Sequence, residues 1–178
     1  MNKRERAQTS LKAKPRRAWW RRHGLEIAVI AALFFGIQAY NSRGAASGPA
    51  PQLADYRLNG ERTTLAPSDE PVMVHFWATW CGICGFMDGS VDRMADDHKV
   101  ITVALRSGSV SAVSNHLKES GLDFPVINDE MGVHAARWGI RGVPTTFFID
   151  ANGHIDRVTV GFSSWLGLRF RMWLASLS

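Results

Sequence analysis

Val72-Met73-Val74-His75-Phe76-Trp77-Ala78-Thr79-Trp80-Cys81-Gly82-Ile83-Cys84 is the stretch that decides how the rest of the chain is read. Its first six residues form a near-continuous apolar run, the pattern of a strand covered on both faces. Its two cysteines are the only ones in the chain and are two residues apart. A helix is expected from Cys84 to about Asp97, so the pair stands between a strand and a helix. Disulfide exchange needs two thiols close enough to bond, one of them a thiolate at working pH. A helix N-terminus supplies unsatisfied N–H groups and a favourable dipole, which lower a thiol's pKa. Cys81 is therefore read as the nucleophile. Cys84, shielded inside the helix, is read as the resolving thiol. The redox-active disulfide is itself the redox group, with no further cofactor and no metal ion expected.

Other uses of the pair are a structural bridge, a zinc site and a copper(I) site. Closing so small a loop constrains the unfolded chain little, so stapling gains little. Zinc would need four ligands, and there is no second cysteine pair. Copper(I) could take both thiolates with Met87 or His75 nearby.

Outward from this stretch, strand and helix signals alternate. Asn59-Gly60 lies between Tyr56-Arg57-Leu58 and Thr63-Thr64-Leu65, a hairpin signal. Val100 to Leu105 reads as a second buried strand. Ser109 is expected to cap a helix through Ser120 that Gly121 ends. A short strand over Phe124–Ile127 and a short helix over Met131–Trp138 follow. Thr145–Asp150 and Ile155–Val160 are two strands joined through Asn152-Gly153. Trp165–Leu177 closes the chain as a helix, buried by Trp165, Phe170 and Trp173. Such alternation predicts an α/β sheet with helices on both faces.

The formal net charge of +5 is unevenly spread. Residues 1–23 carry nine Lys or Arg and one acid, whereas from Gly44 onward eleven basic residues meet fourteen acidic ones, or about −3. A basic face for nucleic acid is not expected, because the later arginines are scattered among acids. The basic tail instead abuts Ile27–Ile37, an uncharged apolar run flanked by Trp19, Trp20 and Tyr40. Cationic residues stay cytoplasmic and aromatics mark the interface. We therefore expect a cytoplasmic tail over 1–23, a single-pass anchor over 24–42, a Pro-rich linker over 43–53 and a folded domain over 54–178. A cleaved signal peptide is the rival, with Gly44-Ala45-Ala46 as its cleavage site. Either version exports the C-terminal domain.

Phe76–Cys84 resembles the active-site segment of thioredoxin-like proteins, and Gly142-Val143-Pro144-Thr145-Thr146-Phe147-Phe148-Ile149-Asp150 resembles their second signature. The membrane-anchored, periplasmic TlpA/DsbE-like group, including the suppressor-of-copper-sensitivity thioredoxins, is the type indicated, over about residues 50–178. The resemblance implies a thioredoxin fold: a central mixed sheet flanked by helices, with an N-terminal hairpin and one transmembrane helix. It implies a cis Pro144 facing the cysteines. A cis peptide there would expose the backbone of Val143 to a substrate strand. With Trp80 on the rim, these are the expected substrate contacts. The resemblance further implies a location at the bacterial inner membrane with the domain in the periplasm. Its partners would be disulfide-bearing proteins and a DsbD-like membrane electron donor, which makes the protein a reductase in cytochrome c maturation or copper-stress defence. A DsbA-like oxidase or isomerase, and a copper-binding module using the same cysteines, are the alternatives.

The chain also departs from that group. His75 stands where thioredoxins commonly keep a buried acid. Ile83 and Gly85 replace the usual proline and basic residue, and Met87 replaces a frequent glutamate. Asp88 is adjacent and expected to face elsewhere. His75 is the candidate for proton transfer to and from Cys84, with a hydrogen-bonded strand histidine as the alternative.

Overall fold

The computed structural model describes residues 23–24, 26–30, 32–33, 36–37, 40 and 43–178. Met1–Ile37 and Gln38–Ser178 are separate units. Residues 1–22 of the expected tail and much of the anchor expected over 24–42 lie outside the described residues. Among those described, no helix is long and apolar enough to cross a membrane.

Within the second unit the strands are β1 (Gly48–Pro49), β2 (Ala54–Tyr56), β3 (Arg62–Thr64), β4 (Val72–Trp77), β5 (Lys99–Leu105), β6 (Val126–Asp129), β7 (Thr145–Ile149) and β8 (His154–Val160). The helices are α1 (Gly82–Gly85), α2 (Asp88–Asp97), α3 (Val110–Ser120), α4 (Val133–Arg137) and α5 (Trp165–Ala175). Six strands form one sheet in the order β1-β8-β7-β4-β5-β6, and β2 and β3 form the hairpin. β4 is central, parallel to β5 and antiparallel to β7, so the sheet is mixed.

The apolar run of β4 has a direct cause. Met73 and Trp77 face a core shared with Val91 and Met94 of α2, Val113 of α3 and Leu168 of α5. Val72, Val74 and Phe76 face the other core, with Leu53, Phe147 and Trp138. All six residues of β4 are buried, and strand alternation simply deals them to two different cores.

His75 interrupts the apolar pattern on the first of these faces. Across the sheet it is in register with Thr102 and Thr146. Apart from His75 Nε2, the row is bonded internally: His75 Nδ1 meets Thr146 Oγ1 at 2.9 Å, and Trp77 Nε1 donates to Thr102 Oγ1 at 3.2 Å. Thr102 Oγ1 in turn donates to the Pro125 carbonyl at 2.8 Å.

Three expectations are corrected. The single helix from Cys84 to Asp97 is two helices. Gly85 and Gly89 weaken it, and at the junction Met87 N and Ser90 N bond three residues back, at 2.7 and 2.8 Å, in the tighter 3₁₀ manner. The Met87 sulfur accepts from Ser163 N at 3.3 Å, which ties the junction to the loop before α5. Second, the stretch read as linker is partly built into the domain. Ala46 N donates to the Trp138 carbonyl at 3.0 Å, β1 pairs with β8, and Leu53 is fully buried. Small and Pro-rich composition signals a tether, but backbone pairing along a sheet edge does not depend on side chains. Third, the last helix is buried by Leu168, Met172 and Ala175, whereas Phe170 and Trp173 are exposed.

Two helices begin on serine caps, with Ser109 accepting from Ala112 N and Ser164 from Gly167 N, both at 3.3 Å. Each of Ser109→Ala and Ser164→Ala is expected to cost about 1 kcal/mol, read as a lower urea midpoint at unchanged m value.

Candidate active site

β4 ends at Trp77, and the chain turns through Ala78-Thr79-Trp80 to deliver Cys81 at the cap position of α1. Two contacts from the loop after β5 hold this turn. Thr79 N donates to Ser107 Oγ at 3.1 Å, and Trp80 Nε1 donates to the Arg106 carbonyl at 3.1 Å. Arg106 adopts a positive φ of 46°, uncommon outside glycine, and that backbone turn aims its carbonyl at the indole. The Trp80 ring is thereby fixed on the rim while remaining exposed. Neither Ser107 nor Arg106 is marked by a sequence motif, since each acts through loop geometry.

Cys81 and Cys84 form a disulfide. The two sulfurs are unlike in access, as Cys81 is half-buried and Cys84 is 1% exposed. Cys84 N donates to Cys81 Sγ at 3.2 Å, so a backbone dipole already points at that sulfur. Such a donor favours the thiolate form once the bridge opens. Among the described residues no group of three or more His, Cys, Asp or Glu is placed to hold a metal ion.

The second signature arrives on β7. The Val143–Pro144 peptide is cis, and the Val143 carbonyl oxygen lies 3.6 Å from Cys81 Sγ. The loop is pinned on both sides: Thr145 Oγ1 donates to the Gly142 carbonyl at 2.7 Å, and Gly161 N donates to the Pro144 carbonyl at 2.8 Å. The fold thus brings Cys81, Cys84 and Val143-Pro144 together from positions 60 or so residues apart in the sequence.

His75 lies on the sheet face that packs against the cluster holding Cys84. It is 1% exposed, and burial pushes its pKa down to about 4, so the ring is neutral near pH 7. Nδ1 is engaged by Thr146, and Nε2 has no protein partner. Asp88 is expected to face elsewhere on the helix than Met87, and both are buried. Asp88 stands four residues after Cys84, with Oδ2 lying 3.9 Å from where a Cβ on Gly85 would sit. Burial raises its pKa, Asp92 adds to the rise, and His116 partly offsets it.

Comparison with known proteins follows from this geometry. The AhpC/TSA family model matches residues 47–158. A thioredoxin-like protein of Haemophilus influenzae is 35% identical over 121 residues, 66% of this chain and 72% of its own length. The thiol-disulfide oxidoreductase ResA of Bacillus subtilis is 30% identical over 162 residues, covering 83% of this chain and 88% of its own. Among solved structures, a thiol:disulfide interchange protein of the thioredoxin family from Chlorobium tepidum superposes with a TM-score of 0.63 at 25% identity, over 74% of this chain and 97% of that one. The chain therefore belongs to the AhpC/TSA family, among its thiol–disulfide oxidoreductases.

Proposed function

We propose that this protein is an extracytoplasmic disulfide reductase, held at the inner membrane by its N-terminal segment and recharged by a DsbD-like membrane donor. The observation that carries the chemistry is the half-buried Cys81, its sulfur beside the Val143 carbonyl, while Cys84 is buried. In the dithiol form, the Cys81 thiolate attacks a substrate disulfide. A mixed disulfide forms and one substrate thiolate leaves. The Cys84 thiolate then attacks the Cys81 sulfur, which restores the Cys81–Cys84 bridge and releases the second substrate thiolate. Two electrons pass to the substrate, and the donor's dithiol returns them to the pair.

Val143 and Pro144 position the substrate. Val143 precedes β7 and takes no part in its ladder, so its backbone is available to an extended peptide. Trp80 supplies a fixed apolar wall. His75 takes the proton from Cys84 in the resolving step, through its unpartnered Nε2. With its pKa near 4 it holds that proton only transiently.

The export reading rests on the basic residues 1–23 beside Ile27–Ile37, and on relatives such as the soluble secreted antigen MPT53, which is 30% identical over 138 residues. In vivo thiol trapping tests the direction of flow. A pair that is mainly reduced, and becomes oxidised when the membrane donor is deleted, is the expected result. A pair oxidised in both backgrounds would identify an oxidase instead.

A further inference from the structure

α5 is apolar on two opposite sides. Leu168, Met172 and Ala175 are buried against the sheet and α2. On the far side Leu166, Phe170, Trp173 and Leu177 are 69%, 56%, 55% and 65% exposed. Their spacing of four, three and four residues places them in one stripe along the helix and its final turn. The Phe170 and Trp173 rings lie 5.8 Å apart. A helix that is apolar all round is ordinarily covered on all sides, and an exposed stripe of this kind marks an interaction surface.

Charge and residue type identify what covers it. Residues 157–178 contain three arginines and no aspartate or glutamate, and the carboxylate of Asp156, beside the end of α5, is taken up by Arg157 and by Ser178 Oγ, which donates to it at 3.2 Å. Arg157 is occupied by Asp156. Arg169 flanks the stripe, exposed, with its guanidinium 5.2 Å from the Trp165 ring centre. Arg171 donates to the Gly167 carbonyl at 2.9 Å. Isologous pairing of two such helices would set arginine against arginine with no carboxylate on either stripe. Trp, Phe and Leu beside arginine instead suit the headgroup and acyl boundary of a bilayer.

We propose that the outer face of α5 seats on a bilayer surface containing anionic lipid. Leu166, Phe170, Trp173 and Leu177 enter the acyl boundary, and Arg169 meets lipid phosphates. This rests on the export and anchoring reading above, which keeps the domain beside a membrane.

The test uses the full chain in vesicles of phosphatidylethanolamine and phosphatidylglycerol carrying lipids brominated high in the acyl chain. Bromine quenches only tryptophans at that depth. Trp173→Phe should remove the contribution of one of the seven tryptophans from the quenched signal. A Trp19→Phe/Trp20→Phe variant reports the N-terminal segment separately. A Leu166→Ser/Phe170→Ser variant, which keeps Trp173, should melt cooperatively and keep its dithiol exchange rate, yet lose the quenching at Trp173. Quenching that Trp173→Phe leaves unchanged would overturn the proposal. So would cross-linking between chains that depends on the stripe without quenching at Trp173. Quenching at Trp173 but none at Trp19 and Trp20 would overturn the anchor alone.

Discussion

Cys84→Ala is expected to turn the protein into a trap. The Cys81 thiolate would still attack substrate disulfides, but nothing inside the helix would release the mixed disulfide. Turnover should fall by a factor on the order of 10³ or more, the scale seen when one member of a catalytic unit is removed. Covalent complexes sensitive to reductant should accumulate, visible on non-reducing gels. Cys81→Ser should lose turnover as completely and trap nothing, because the more accessible cysteine that meets substrate is gone while the remaining one, Cys84, is 1% exposed. Equal trapping by both variants would contradict the assignment of roles. The asymmetry of burial, rather than the spacing of the cysteines, is what makes the two variants differ.

Acidification should destabilise the domain by about 3 kcal/mol through His75 alone, given its pKa of about 4 against an ordinary 6.5. The sign follows from the depressed pKa of a base. Between pH 6.5 and 4 the unfolded chain binds a proton that the folded chain refuses. Stability is therefore greatest above 6.5, and falls as pH drops towards 4. Asp88 works in the opposite direction, because its raised pKa lets the folded state take up a proton first. Chemical denaturation across this window, compared between the wild type and a His75→Leu/Thr146→Val double variant, isolates the histidine. Replacing both partners avoids leaving the Thr146 hydroxyl buried without its bond. The double variant should show the shallower slope, and identical slopes would refute the assignment. In exchange kinetics at pH 7, His75→Ala should slow release of the mixed disulfide while leaving its formation unchanged.

The central strand, the cysteine pair and the alternation of strands and helices were legible because each has a short-range signature. An apolar run of six residues, a two-residue spacing and Ser109 before a helix are all local. The hairpin at Asn59-Gly60 was legible for the same reason, with Tyr56 now paired to Arg62. The segment near residues 46–53 was misread as tether because its hydrogen bonds run to Trp138, Gly153 and β8, more than 90 positions away. The last helix was misread in a different way. With apolar residues on two opposite sides and only Arg169 and Arg171 among them, its sequence offers no single polar face to orient it. Only its packing against α2 and the sheet shows that Leu168 and Met172 point inward and Trp173 outward.

The sequence by itself determined that a strand hands two cysteines to a helix and that a proline-bearing second segment follows. Those features are properties of neighbours along the chain. The tertiary structure alone decided that Val143 comes within 3.6 Å of Cys81, that Cys84 is sealed, and that His75 is a neutral ring bonded to Thr146. It also decided that Asp88, in the first turn of α2, is buried. Each of these depends on which residues of distant strands and helices share a face of the sheet. That arrangement is set by burying two cores at once, and no local spacing encodes it.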